Sequence, residues 1–243
     1  RPEHRVVQMA ARRRNDVAVL CVRDVTRETE VDRMKSEFLS SAAHELRTPM
    51  VSVLGFTELL STELHGPLND KQRRLLGQVE DSANHLLTLI TDILDLAKFR
   101  AQTAILDRDT CALSEVGADC TRQIETAARS KGLRVEFDLN PPGLQLRADP
   151  KRLRQVLGNL LDNAVKFTLP GGRVGLHIRQ AGNEVQMEVW DTGIGISPDG
   201  VAKLFQPFVQ LDSRLAREHN GAGLGLALAR QIMDAHGGRI EVQ

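Results

Sequence analysis

Four groups of residues in this chain are of types and spacings that could do chemistry. The first is Ser40-Ser41-Ala42-Ala43-His44-Glu45-Leu46-Arg47-Thr48-Pro49. On a helix from Met34 to Leu60, turning about 100° per residue, Phe38, Leu39, Ala42, Leu46, Met50, Val53, Phe56 and Leu60 form one apolar stripe. His44 falls opposite the middle of that stripe, beside small serines and with Thr48 one turn later. An imidazole there is held on a buried helix yet points at water. Pro49 lacks the amide that would bond the carbonyl of Glu45, so a kink is expected just beyond the histidine. A surface histidine beside a proline bend would look the same.

The second group follows Asp149-Pro150, a helix opening with Asp149 as cap and Pro150 at the first helical position. Leu153, Val156, Leu157, Leu160, Leu161 and Ala164 make the buried face of that helix, and Asn159, Asn163 and Lys166 line up beside it at i, i+4 and i+7. Amide oxygens suit a hard Mg²⁺ ion and an ammonium suits phosphate. An ordinary solvated face is the alternative. The third group, Trp190-Asp191-Thr192-Gly193-Ile194-Gly195-Ile196, ends a strand with a carboxylate and two glycines, where the backbone can close around a flat ligand. The fourth, Gly221-Ala222-Gly223-Leu224-Gly225, opens a helix from Leu226 to His236 and could present amides and a helix dipole to an anion. No strand directly precedes it and no GK[ST] follows, so it is neither a dinucleotide nor a Walker loop.

The elements that must position these groups can be read along the chain. Two strands, Val6–Met9 and Val17–Val22, flank a basic turn ending Asn15-Asp16. From Thr26, charges alternate with Val31, Met34 and Phe38, and a helix runs through the histidine to about Leu64, where His65-Gly66-Pro67 breaks it. A second helix carries Leu75, Val79, Ala83, Leu86, Ile90, Ile93 and Ala97. Such a hairpin leaves its apolar face half uncovered, and two copies would close a four-helix bundle, so a homodimer is expected. Residues 100–112 look like linker. Beyond them come a helix (Leu113–Lys131), a strand (Arg134–Leu139), the Asp149 helix, and a hairpin in which Val174, Leu176 and Ile178 face Val185, Met187 and Val189 across Gly182-Asn183. A short helix opening Ser197-Pro198-Asp199 leads to Leu204-Phe205-Gln206-Pro207-Phe208, and a polar stretch over Gln210–Asn220 reads as a mobile lid.

Composition sets the outer bounds. The 243 residues are 41% hydrophobic, enough for a core in one or two domains. Thirty-two basic and 32 acidic residues leave no global field to favour nucleic acid or an anionic membrane. Cys21, Cys111 and Cys120 are scattered and odd in number, which argues for a reducing compartment and against a disulfide framework or zinc site. No apolar run approaches membrane-spanning length and no signal peptide opens the chain, so a cytoplasmic piece without membrane contact is expected; the abrupt start reads as a fragment whose full-length protein could carry an anchor.

The His44 stretch, the Asn159/Asn163/Lys166 helix, Asp191-x-Gly193-x-Gly195, Phe205/Phe208 and Gly221-x-Gly223-x-Gly225 stand in the order and spacing of the H, N, G1, F and G2 boxes. From about residue 30 to 243 the chain resembles a sensor histidine kinase of two-component signalling. Val22-Arg23-Asp24-Val25-Thr26-Arg27-Glu28 resembles the end of a PAS sensor domain entering its output helix. The resemblance implies an α+β chain of two domains: a helical hairpin that dimerises into a four-helix bundle, then a left-handed α/β sandwich of the gyrase ATPase type. The expected boundaries are residues 1–26 for the PAS remnant, 27–104 for dimerisation and phosphotransfer, and 105–243 for ATP binding. It further implies His44 as phospho-acceptor, Glu45 orienting it or taking its proton, and Thr48 positioning water for dephosphorylation of a partner. Asn163 would ligate Mg²⁺, with Asn159 and Lys166 near the triphosphate and Phe167 near the base. Asp191 would read the adenine amino group, with Gly193 and Gly195 beside it, and Gly221, Gly223, Leu224 and Gly225 would let the lid close over ATP. A response-regulator receiver domain is the implied partner. The family usually adds one more strand after Gly237–Gln243, so an exposed sheet edge is expected. A nucleotide-binding relay without turnover, and a gyrase-type ATPase, are the alternatives; the second usually needs a carboxylate where Asn159 stands.

Overall fold

The computed structural model describes residues 7–14, 17–64, 66–101, 103–210 and 222–243. The chain divides into two compact units, Arg1–Ala104 and Ile105–Gln243.

The first unit opens with β1 (Val7–Arg14) and β2 (Val17–Asp24), antiparallel with Met9 opposite Val22 and Ala11 opposite Leu20. Opposed residues share a face, so Val7, Met9, Leu20 and Val22 form one apolar face, and all four are exposed. The expected Asn15-Asp16 turn lies outside the described residues. Asp24 then accepts hydrogen bonds from the amide and hydroxyl of Thr26, which fixes the entry into α1 (Thr26–Ser61). Helix α1 runs without interruption through Pro49 and stops at Ser61, three residues short of the expected Leu64. The chain there takes a left-handed backbone at Glu63 (φ 58°) that a helix cannot continue. Arg73 holds this turn from the next helix, donating to the Glu63 carboxylate and the Leu68 carbonyl. Helix α2 (Asp70–Arg100) begins with a reciprocal capping box: Asn69 Oδ1 accepts from the Gln72 amide, and Gln72 Oε1 from the Asn69 amide, each at 2.9 Å. The two helices pack as a hairpin around Leu39, Ala43, Ile90 and Leu94.

The second unit contains β3 (Asp109–Ala112), α3 (Leu113–Ser130), β4 (Arg134–Asn140), β5 (Gln145–Ala148), α4 (Pro150–Phe167), β6 (Arg173–Ala181), β7 (Glu184–Asp191), α5 (Pro198–Val201) and α6 (Gly225–His236). The expected linker therefore ends sooner. Asp109–Ala112 pairs antiparallel with β5, and neither four-residue strand is long enough to display a period in the sequence. The main sheet runs β4-β6-β7, with β4 parallel and β7 antiparallel to the central β6. Val174, Leu176 and Ile178 of β6 are fully buried beneath α3 and α4, against Val116, Cys120 and Ile124 of α3 and Leu153, Leu157 and Leu161 of α4. This is the two-layer solution for helices and a sheet that are each apolar on one side.

Several polar contacts fix the position of α4. Asp149 caps it, with Oδ1 accepting from the amides of Lys151 and Arg152, while Oδ2 accepts from the Asp107 amide. The Asp149 amide donates to His236 Nε2 at the far end of α6, and Arg108 donates to the Ala235 carbonyl. Asp149 thus joins the entry of the unit and the start of α4 through its buried carboxylate, and the end of α6 through its amide. Gly237, at φ 79°, closes α6 in the left-handed conformation that a Cβ disfavours. Residues after it form no strand, and Arg239 pairs with Glu184 at the start of β7.

Candidate functional site

His44 lies exposed on α1, one residue after Ala43, which is buried against α2. The side facing α2 carries Leu39, Ala43, Met50, Leu54 and Thr57, all buried or half-buried. Most of the expected stripe lies about a quarter-turn away from it and stays exposed: Phe38 is 72% exposed, Leu46 52% and Phe56 67%. Position 44 falls opposite that uncovered stripe. Thr48 donates its hydroxyl to the His44 carbonyl at 3.3 Å, and Ser52 does the same to Thr48 at 3.2 Å. Glu45 is exposed, and neither it nor the His44 ring has a hydrogen-bond partner among the described residues.

In the second unit the last turns of α4 meet the loop after β7. Asn159, Asn163, Lys166 and Phe167 are all half-buried, which does not fit an ordinary solvated face. Asn159 Nδ2 donates to the carbonyl of Gly225 at 3.1 Å and so ties α4 to the first residue of α6. Asn163 has no hydrogen-bond partner among the described residues. The Lys166 ammonium stands 5.2 Å from the centre of the Phe167 ring, and burial pushes its pKa down. Among the described residues no carboxylate pairs with it. A half-buried cation without a counter-ion, beside an unengaged amide, fits an anion with a hard metal ion.

Asp191 is exposed and accepts the Gly193 amide at 2.7 Å, which turns the chain sharply at the end of β7. Gly193 then passes so close to α4 that a Cβ there would lie 2.5 Å from the Phe167 carbonyl oxygen. That carbonyl accepts from the Ile194 amide at 3.3 Å, and Gly195 follows at φ +67°. The Asp191 loop and the last turn of α4 are therefore one backbone-bonded assembly. Thr192 strengthens it, with its hydroxyl accepting from the Arg173 amide at 2.9 Å.

Beyond the short helix α5, whose Ser197 cap accepts the Gly200 amide, Phe205 stacks beneath Arg230 of α6 with 5.6 Å from the guanidinium to the ring centre. Phe208 takes a left-handed backbone (φ 64°) and donates its amide to the Gly223 carbonyl at 3.0 Å. Gly223 (φ +67°) must lack a side chain, since a Cβ would meet the Val209 carbonyl at 2.7 Å. Leu224 is buried and begins the turn into α6. Gly221 and all of the expected lid beyond Gln210 lie outside the described residues.

Sequence spacing missed one contributor. Lys131, at the end of α3, sends its ammonium to the carbonyls of Val165 and Lys166 at 2.9 and 2.8 Å. No local pattern connects residues 34 and 35 positions apart.

The first unit thus carries an exposed histidine on a helical hairpin, and the second carries a half-buried ammonium and amide on the last turns of α4. A family model for the "His Kinase A (phospho-acceptor) domain" matches residues 34–102, and one for the "Histidine kinase-, DNA gyrase B-, and HSP90-like ATPase" matches residues 148–243. Together they take in more than half of the chain. It is 44% identical over 211 residues to the circadian input-output histidine kinase CikA of Synechococcus elongatus, across 86% of this chain and 28% of that protein. It is 39% identical over 218 residues to the sensor protein GacS of Pseudomonas syringae pv. syringae, across 88% of this chain and 24% of that one. Among solved structures, full-length ShkA in complex with AMPPNP superposes with a TM-score of 0.69 at 35% identity, covering 83% of this chain and 41% of that one. The chain belongs to the sensor histidine kinases. It spans about a quarter of the length of the two curated relatives named here.

Proposed function

We propose that this chain is the ATP-dependent kinase core of a sensor histidine kinase. An imidazole nitrogen of His44 attacks the γ-phosphorus of ATP in line; the new N–P bond forms as the bond to the β,γ-bridging oxygen breaks, and ADP leaves. Glu45 accepts or steers the imidazole proton. The phosphoryl group then passes to an aspartate on a response-regulator receiver domain, and Thr48, a turn along α1, positions water when the reverse, dephosphorylating activity operates.

The observation that carries this reading is the half-buried Lys166, without a carboxylate partner among the described residues and next to the unengaged Asn163. Lys166 and Asn159 would face the triphosphate, and Asn163 would hold Mg²⁺. When bound, that ion supplies positive charge to the phosphate oxygens and so lowers the cost of bringing a nucleophile to them. Phe167 would bound the base, and the free oxygen of Asp191 would accept the adenine amino proton, which favours ATP over GTP. Gly193 and Gly195 permit the tight loop around it, and the Gly221–Gly225 segment, with Leu224 anchored in the core, would close over the phosphates. An amide at Asn159 rather than a carboxylate argues against a water-activating ATPase.

The uncovered stripe of α1, with Leu75, Val79 and Leu86 exposed on α2, supports a homodimeric four-helix bundle formed by residues 27–104. ATP binding falls to residues 105–243. The exposed apolar face of the β1–β2 hairpin suits the closing strands of a PAS-type sensor domain in a longer protein. No described helix is long and apolar enough to cross a membrane.

Incubation with γ-labelled ATP and Mg²⁺ tests the reading. The expected result is an acid-labile, alkali-stable phosphoprotein that disappears in His44→Ala while nucleotide binding persists. Label retained in His44→Ala would sink the assignment of the acceptor.

A further inference from the structure

An α-helix ends with four carbonyls that lack intrahelical partners and carry, together with the dipole, about half a negative charge. In α4 these are the carbonyls of Ala164, Val165, Lys166 and Phe167, and each has an identified donor. Ala164 accepts from the amide and hydroxyl of Thr168, at 3.1 and 2.7 Å. Phe167 accepts from the Ile194 amide of the Asp191 loop. The two between them, Val165 and Lys166, are both served by the single ammonium of Lys131. Lys131 is half-buried at the C-terminus of α3 and arrives from a different element.

The placement has an electrostatic consequence. The negative end of α4 belongs to the very turn that carries Asn163, Lys166 and Phe167. A polyanion brought to Asn163 and Lys166 would be repelled by that carbonyl end. An ammonium seated directly on two of the carbonyls cancels the repulsion, and it holds the turn helical so that the Phe167 carbonyl stays in reach of Ile194.

We propose that Lys131 is a positioning residue for the nucleotide: it neutralises the carbonyl end of α4 and so sets the affinity for the phosphate chain, without touching the ligand. The proposal rests on the reading of Asn163, Lys166 and the Asp191 loop as an ATP site. It predicts an asymmetry that a purely structural contact would not produce. Loss of the charge should weaken binding of ATP strongly and of adenosine, which has no phosphates, very little. A hydroxyl or water filling the gap would satisfy the carbonyls without supplying charge.

The test is calorimetric titration of the intact chain with Mg-ATP and with adenosine, for wild type, Lys131→Met, Lys131→Gln and Lys131→Arg. Circular dichroism melts establish that each variant is folded at the titration temperature. Lys131→Met is expected to lose roughly tenfold in ATP affinity, in line with a hydrogen-bonded charge of this kind, with adenosine affinity changed less than about twofold. Lys131→Arg should restore most of the ATP affinity. Lys131→Gln keeps a donor but no charge, and it decides the matter if the methionine variant does not fold: it should also bind ATP several-fold more weakly. Equal losses for ATP and adenosine, or unchanged ATP binding in Met and Gln variants, would overturn the proposal while leaving the ATP site standing. A wild-type chain that binds adenosine and ATP equally, or neither, would remove the ATP site and the proposal with it.

Discussion

The two units solve the burial problem differently. In residues 105–243 the stripe of α3, the stripe of α4 and the inner face of β6 close on one another, and Leu113, Leu161, Leu176, Ile178 and Leu228 are wholly inaccessible. In the helical hairpin the contact between α1 and α2 covers little more than Leu39, Ala43, Ile90, Leu94 and their neighbours, and a second apolar stripe remains in water. A sheet with helices on one side can complete its core from one chain. Two helices cannot, because each buries only one side against the other. Residues 105–243 close a core within one chain, whereas the hairpin that displays His44 leaves an apolar stripe exposed.

The sharpest way to break this contrast is to charge the uncovered stripe. Phe56→Glu enters a dimer interface twice by symmetry, so the dissociation constant should rise by about a thousandfold or more. Light scattering should then report a monomer at micromolar concentration, with ATP binding intact. A mass unchanged from wild type would mean that the stripe is covered by something other than a second copy. In the self-sufficient unit the corresponding change is Leu161→Ala, a fully buried side chain in the centre of α4. It should cost about 3 kcal/mol, read by denaturant melts of that unit, and leave the molar mass alone. A loss below about 1 kcal/mol would contradict a closed core.

The smallest effect concerns Asp92, half-buried on α2, whose carboxyl is pushed up to about 6, first by burial and then by neighbouring Asp95. A carboxyl with a higher pKa folded than unfolded binds more protons in the folded state. Its contribution is therefore full below about pH 4 and is lost as pH rises to about 6. Asp92→Asn should stabilise the helical unit at pH 7 by on the order of 1 kcal/mol, after allowing for solvent, and flatten its stability between pH 4 and 6. A variant that is less stable at pH 7 would show that the carboxylate is favourably held.

Much of both units is legible in the sequence because their long elements advertise themselves. Helix α4 announces its start through Asp149-Pro150 and its buried face through leucines at helical spacing, and the β6–β7 hairpin announces its faces by alternation. The Asp191 turn and the glycines after it also stand where the sequence puts them. Strands β3 and β5 are not legible in the sequence, and the place of β3 reads as linker. Four residues with one buried side chain between them carry no period, and only their pairing with each other makes them strands. On α1 the sequence supplies a single apolar stripe, yet the helix uses two adjoining faces. Ala43 and Thr57 are among the residues packed against α2, and neither is marked as apolar bulk.

The sequence alone determined which side chains share a helix face, where helices and turns begin, and which chemical groups recur at the spacing of a kinase. Those properties depend on residues two to four positions apart. Tertiary structure alone decided that Asn159 ties to Gly225, that Asp149 joins Asp107 to His236, and that the Lys131 ammonium sits on the carbonyl end of α4. Partners separated by tens of residues are selected by close packing, which brings together whichever polar groups remain unsatisfied when the core closes.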